Sequence, residues 1–280
     1  MNNSHSIQED YVLTDVDYKE LCALVYHHTG ISLTEEKRKL AYSRFSKRLK
    51  ALKLNSFAEY CDLLKTNAGL ELDHFTNAIT TNLTSFFREQ HHFDRLRNEI
   101  VPQLLKKTNR KIRIWSAGCS TGEEPYSIAM SLMSHMSRLK SWDVKILATD
   151  LDSQVIQTAS RGVYAPNRVD GIDAETKQRC FSPVTELGQR QYKVNADLRA
   201  LITFKRLNLM NKDWPMRGPF DVIFCRNVVI YFNKETQIKL FKKFAELQNK
   251  DDHLIVGHSE SLKGIAEQYR HVGRTSYVRV

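Results

Sequence analysis

The stretch that most constrains this chain runs from Ile112 to Met130, IRIWSAGCSTGEEPYSIAM. An apolar run ends in small residues. Two glycines stand four apart, and two glutamates and a proline then open a helical pattern. A strand passing through bare backbone straight into a helix is the opening unit of a doubly wound α/β sheet, whose ligands lie at the carboxyl ends of the strands.

The rest of residues 85–280 keeps that rhythm. The pattern predicts a helix from Phe86 to about Lys107, strands at Ile112–Ala117 and Val144–Thr149, and helices at Glu123–Leu139 and about Asp152–Ser160. Further strands are expected at Leu201–Leu207, Asp221–Cys225, His253–Gly257 and Ser276–Val280. The helix Lys234–Gln248 has Asn233 as its N-cap and Ile238, Phe241, Phe244 and Leu247 as its apolar face. About residues 180–198 break the alternation. There QYKVNADL reads as extended and SPVTELGQ as a turn, which predicts a small β insertion.

Three further places put polar groups at strand ends beside the loop containing Gly118 and Gly122. Asp150 ends the next strand and is placed to accept hydrogen bonds from both hydroxyls of a ribose. Asn208-Leu209 follows ITFKRL, and Arg226-Asn227 follows FDVIFC. The loop also selects its ligand. A dinucleotide wants GxGxxG with a pyrophosphate at the helix N-terminus. Here the loop reads GCSTGEEP, and Glu123 and Glu124 would repel a pyrophosphate but suit a ligand cationic at that end. A nucleoside with a positive centre, an amino-acid tail and no phosphate is S-adenosylmethionine. Stabilisation of the first helical turn is a second role open to either glutamate.

Residues 1–84 read as an all-helical domain. Tyr18, Leu21, Leu24, Val25 and His28 recur at helical spacing, with Gly30 as the stop. A second helix, about 35–52, buries Ala41, Tyr42, Phe45, Leu49 and Leu52 and gathers Lys37, Arg44, Lys47 and Arg48 on one shoulder. Eight bases and no acid occur from Lys37 to Lys53, while the rest of the segment is net acidic. This predicts a docking face for an acidic partner.

Composition narrows the class. The chain has 280 residues, enough for one large domain or two ordinary ones, and a formal charge of +10 that favours encounter with acidic partners. Five widely spaced cysteines without a CxxC pair fit reduced thiols in a cytosolic protein, and neither a metal nor a disulfide frame is expected. MNNSHSIQED lacks the n- and h-regions of a signal peptide, and no apolar run has the length of a membrane span.

AGCSTGEEPYSIAM, ATDLDSQVIQTASRGVY, FDVIFCRNVVIYF, VGHSES and the preceding TTNLTSFFRE together resemble the CheR chemotaxis receptor methyltransferases, over nearly the whole chain. The resemblance implies an S-adenosylmethionine-dependent, Rossmann-like α/β methyltransferase domain (85–280) with an inserted β subdomain, preceded by the helical domain (1–84). It implies methylation of glutamate side chains on the cytoplasmic parts of membrane chemoreceptors, giving glutamyl methyl esters and S-adenosylhomocysteine. By motif, Asn82, Thr84 and Arg88 line the cofactor pocket, with Arg88 meeting the methionine carboxylate. Glu124 or Glu123 holds the amine, Asp150 the ribose, and Asn208-Leu209 and Arg226-Asn227 the adenine and methionine ends. Tyr231 sits beside the transferring methyl. The basic helix then reads the acidic face of receptor helices. In some members of the family the β insertion holds a receptor C-terminal peptide; here that insertion is poor in glycine, with only Gly188 in its turn. The enzyme is expected to be a cytoplasmic monomer that neither inserts into the membrane nor binds nucleic acid.

Two other classes compete. A nucleic-acid methyltransferase would share the cofactor logic, but no RNA-binding module or NPPY-type sequence is present. A non-catalytic adaptor would keep the binding residues without transferring methyl.

Overall fold

The computed structural model describes residues 11–67 and 69–280, so MNNSHSIQED lies outside the described residues. The chain divides after Thr81 into two compact units.

The first unit holds α1 (Asp15–Thr29), α2 (Arg38–Leu52), α3 (Phe57–Thr66) and α4 (Glu71–Ile79). A capping box between Thr14 and Asp17 starts α1, and Gly30, at φ 73°, ends it. Phe45, Leu49, Tyr60 and Phe75 form the centre of the core, with the rings of Phe45 and Phe75 stacked at 5.0 Å. The expected basic shoulder of α2 is modified by contacts that no local pattern reveals. Arg48 grips the buried Glu71 with two hydrogen bonds of 2.9 and 2.7 Å, and the Tyr60 hydroxyl donates to the same carboxylate at 2.7 Å. Arg44 donates to the carbonyls of Ala78 and Thr80 at the end of α4. Both arginines therefore hold the domain together. The exposed bases of α2 are Lys39, Lys47 and Lys50.

The second unit begins with a turn and then α5 (His91–Arg95), a π-helical segment (Leu96–Ile100) and α6 (Val101–Leu104). The expected helix start at Phe86 is thus corrected to His91: Phe87 and Glu89 have φ of 52° and 57°, which a helix does not allow. Next come β1 (Lys111–Ala117), α7 (Glu123–Leu132), α8 (Met136–Leu139), β2 (Asp143–Asp150) and α9 (Ser153–Arg161). The insertion follows, as β3 (Val163–Tyr164), α10 (Ala174–Cys180), β4 (Phe181–Glu186) and β5 (Gln189–Val194). The chain returns through α11 (Ala196–Ala200), β6 (Ile202–Arg206), β7 (Val222–Cys225), α12 (Lys234–Glu246), β8 (His253–Val256), β9 (Tyr269–Gly273) and β10 (Ser276–Arg279).

Seven strands form one sheet in the order β6-β2-β1-β7-β8-β10-β9, and β3-β5-β4 form a small antiparallel sheet. The strands from β6 to β8 are parallel, while β10 runs antiparallel to both its neighbours. Alternation along β1 builds two cores. Ile112 and Ile114 face one side with Phe224 and Tyr126, whereas Trp115 and Ala117 face the other with Phe241 and Phe244. From β1 the chain winds outward to β6, then returns to β7 on the other flank of β1. The crevice at this reversal is where a doubly wound sheet binds ligands.

Several expectations change. SPVTELGQ is mostly strand, with its turn confined to Leu187-Gly188; Pro183 is accommodated because β4 is an edge strand. The insertion starts earlier, at Val163, since β3 supplies its third strand. The predicted helix Glu123–Leu139 is interrupted by a 3₁₀ turn at Met133–His135. Ile238 is 42% exposed and does not join the α12 core face. Strand β9 had no separate signal in the sequence.

Candidate active site

Four strand ends meet at the reversal. After β1, Gly118 has φ 95°, and its amide and that of Cys119 donate to the Thr149 carbonyl at 2.8 and 2.9 Å. A Cβ on Gly118 would lie 2.3 Å from Val228 Cγ2, so the β1 loop and the β7 loop are in direct contact here. Gly122, at φ 100°, is pressed in the same way against Tyr164 and Ala159.

Asp150 closes β2. Its Oδ2 accepts the Ser120 amide at 2.8 Å and its Oδ1 the Asp152 amide at 3.0 Å. Burial pushes its carboxyl pKa up, with these amides pulling the other way. An ionised carboxylate has about four lone-pair sites, so acceptor capacity remains for a diol. Asp150→Ala should weaken cofactor binding at least tenfold, from charged hydrogen bonds of roughly 1.5–3 kcal/mol each. Titration calorimetry with S-adenosylmethionine reads this, and unchanged affinity would remove Asp150 from the site.

Asn82 reaches the same corner: its Nδ2 donates to Asp152 Oδ2 at 2.9 Å, and its carbonyl accepts the Ser120 hydroxyl at 3.4 Å. Thr84 is half-buried in the segment that follows. Arg88 folds back to donate to the Leu83 carbonyl at 2.8 Å, which leaves most of its guanidinium N–H groups for another acceptor. Beyond β6, the Asn208 side chain accepts the Met210 amide at 2.9 Å, and Leu209 is buried beneath. The Leu207 amide donates to the Asp150 carbonyl, which sets this turn beside the β2 end.

The two glutamates part company. Adjacent helical residues point about 100° apart, so one position cannot substitute for the other. Glu123 is fully buried and ion-paired to Arg168 of the insertion, and Thr121 donates to its second oxygen at 2.7 Å. The charge of Glu123 is thus answered from within the protein by Arg168 of the insertion. Glu124 accepts the Ser116 hydroxyl at 2.7 Å and Arg226 Nη1 at 3.0 Å, one bond to each oxygen, so lone pairs remain. Burial raises its pKa, and Arg226 and Ser116 offset part of that.

Arg226, at the end of β7, is held as an internal strut. Its side chain is 2% exposed and lies between Glu124 and Glu89, with a further bond to the Arg88 carbonyl and the Phe93 ring at 5.3 Å. Glu89 itself binds His258, Arg226 and Asn227. Burial would raise its pKa, but the His258 hydrogen bond and the Arg226 charge prevail and bring it down to about 2. Ligand atoms of Glu89, His91 and His92 come within 4.8 Å of one another, but Arg226 standing 3.4 Å from that carboxylate opposes a second cation there.

Asn227, at φ 58°, turns the chain from β7 into the short helix Val229–Tyr231, so Tyr231 stands on the loop that touches Gly118. Sequence reasoning missed Glu89 and Glu260, which hold this corner. Glu260 lies inside the quoted VGHSES motif, but its burial shows only in the fold.

A glycine-rich β1 loop, an acid closing β2 and a polar loop after β7 define the class: an α/β domain of the S-adenosylmethionine-dependent methyltransferases. Residues 82–278 match the family described as CheR methyltransferase, SAM binding domain, and residues 16–80 match CheR methyltransferase, all-alpha domain. The chain belongs to the CheR methyltransferase family. It is 42% identical to a probable chemotaxis protein methyltransferase of Rhizobium etli, over 91% of this chain and 96% of that one. It is 43% identical to chemotaxis protein methyltransferase 2 of Pseudomonas aeruginosa, over 96% and 95%. The chemotaxis protein methyltransferase of Escherichia coli is 36% identical over 96% and 92%. The protein is thus a methyltransferase of the chemotaxis class that uses S-adenosylmethionine. Among the described residues, no helix is long and apolar enough to cross a membrane.

Proposed function

We propose that the protein methylates glutamate side chains on the cytoplasmic helices of membrane chemoreceptors, acting as a monomer in the cytoplasm. The observation that carries this reading is the contact of the Tyr231 loop with the glycine loop at the strand reversal, in a chain of this family. S-adenosylmethionine supplies a methyl on a cationic sulfur. A glutamate carboxylate, with an ordinary pKa near 4.3, is already ionised at pH 7 and needs no general base. Its oxygen bonds to the methyl carbon while the C–S electron pair returns to sulfur. Charge is lost on the way, so a full positive clamp on the substrate carboxylate would favour the ground state. Alignment by the neutral hydroxyl of Tyr231 is the better device.

In this reading Asp150 takes the ribose, and Asn208-Leu209 borders the adenine. Glu124 takes the amine, Arg88 the methionine carboxylate, and Asn82, Thr84 and Asn227 complete the wall. Incubation of the protein with labelled S-adenosylmethionine and receptor-bearing membranes should put label on a receptor-sized band, released by mild base as methyl esters are. Base-stable label would move the substrate to nitrogen. Tyr231→Phe should lower turnover about tenfold, the scale of one hydrogen bond, with cofactor affinity unchanged. Full turnover in that variant would remove Tyr231 from the mechanism.

Docking on receptor glutamates falls to the exposed bases of α2. Lys47→Glu combined with Lys50→Glu should slow receptor methylation at low salt and matter less as salt rises. Arg48→Glu cannot test docking, because it would break the contact with buried Glu71. The outer edge of β4 suits a receptor C-terminal peptide adding as a further strand.

A further inference from the structure

We propose that Glu260 is a positioning residue for methyl transfer: its carboxylate holds the loop Asn227–Ile230, and through it Tyr231, against the glycine loop. This rests on the reading that Tyr231 faces the reacting methyl.

Glu260 is 4% exposed and sits just past β8, the parallel neighbour of β7. Its Oε2 accepts the amides of Gly257 and Asn227, at 2.5 and 2.9 Å. Its Oε1 accepts those of Val228 and Val229 at 2.9 Å each, and that of Ile230 at 3.4 Å. Five backbone donors thus converge on one carboxylate. The short helix ending at Tyr231 has no side-chain cap at Val228, and its first amides would otherwise be orphans. A buried acid is a costly way to cap an ordinary turn, for which serine or asparagine suffices.

Two observations fix what the clamp controls. Val228, one of the clamped residues, is the one that Gly118 admits to contact. Gly257 has no room for a side chain: a Cβ there would lie 2.6 Å from Asn227 Nδ2 and 2.9 Å from Glu260 Oε2. The ends of β7 and β8 are therefore drawn together on this carboxylate. A small displacement of the loop moves Tyr231 relative to the methyl donor, and alignment is where the rate of such a transfer resides.

The test is a double-mutant cycle on the full chain, with S-adenosylmethionine and receptor-bearing membranes. Glu260→Gln keeps the shape but turns an NH₂ group toward amide donors. Turnover at saturating cofactor should fall at least tenfold, and by clearly more than cofactor affinity measured by calorimetry, to which Asn227 of the same loop contributes. Added to Tyr231→Phe, it should lower turnover less than threefold further, since both changes act through one hydroxyl. Should Glu260→Gln fail to fold, Glu260→Asp, which keeps the charge, carries the same cycle with a smaller single loss. Multiplying losses, or cofactor affinity falling in step with turnover, would make Glu260 a structural staple and overturn the proposal. Full activity of Tyr231→Phe alone would instead fault the reading of Tyr231, and would be seen before Glu260 is changed.

Discussion

Arg226→Ala should destabilise the methyltransferase domain by about 3–5 kcal/mol, the cost of leaving a buried partner charge unanswered. Two carboxylates lose their counterion at once, because Glu124 and Glu89 flank the same guanidinium. The Arg88 carbonyl loses its donor too, which loosens the turn carrying the residues expected at the cofactor. At roughly 2–4 °C per kcal/mol for a domain of this size, the melting temperature should fall by about 10 °C. Calorimetric melting reads this directly. A shift of a degree or two would mean that the pair is screened by water and does not brace the site.

Gly118→Ala should lower affinity for S-adenosylmethionine about 100-fold. The positive φ costs an alanine ~1–2 kcal/mol, and overpacking typically adds ~1–3 kcal/mol. The new Cβ, 2.3 Å from Val228, must push the β1 and β7 loops apart, so the loss falls on the pocket itself. Gly188→Ala is the matched control, because its φ is also positive, at 74°, but a Cβ there meets nothing within 4 Å. Calorimetric titration of both variants checks the contrast, and equal affinities would show that the two loops need not touch.

Much of this architecture is legible in the sequence. Periodicity placed β1, β2, β7 and α12 to within a residue or two at most ends, and Gly30 and Asn233 terminate helices as their chemistry requires. Asp150 stands at a strand end in contact with the glycine loop, as its spacing suggested. The turn at 86–90 was illegible because Phe87 and Glu89 adopt positive φ without being glycine or asparagine. The charge partners were illegible for a different reason. Arg168 lies 45 residues from Glu123, Arg226 lies 102 from Glu124, and Arg48 meets Glu71 across 23. Local charge counting reads Glu123, Glu124 and Arg48 as uncompensated, where folding supplies each of the three with a counterion. Glu260 escaped because backbone amides, which carry no sequence identity, are its partners.

The insertion is fastened to the glycine loop. The Tyr164 hydroxyl donates to the Thr121 carbonyl at 2.7 Å, and Arg168 reaches both Glu123 and the Thr121 hydroxyl. Two ligands that act on one bistable element must influence each other equally. A peptide that shifts the small sheet and thereby changes cofactor affinity by some factor will have its own affinity changed by that same factor when cofactor is present. In the reading that a receptor peptide adds to β4, cofactor supply would set how tightly that peptide is held, and the peptide how tightly cofactor is held.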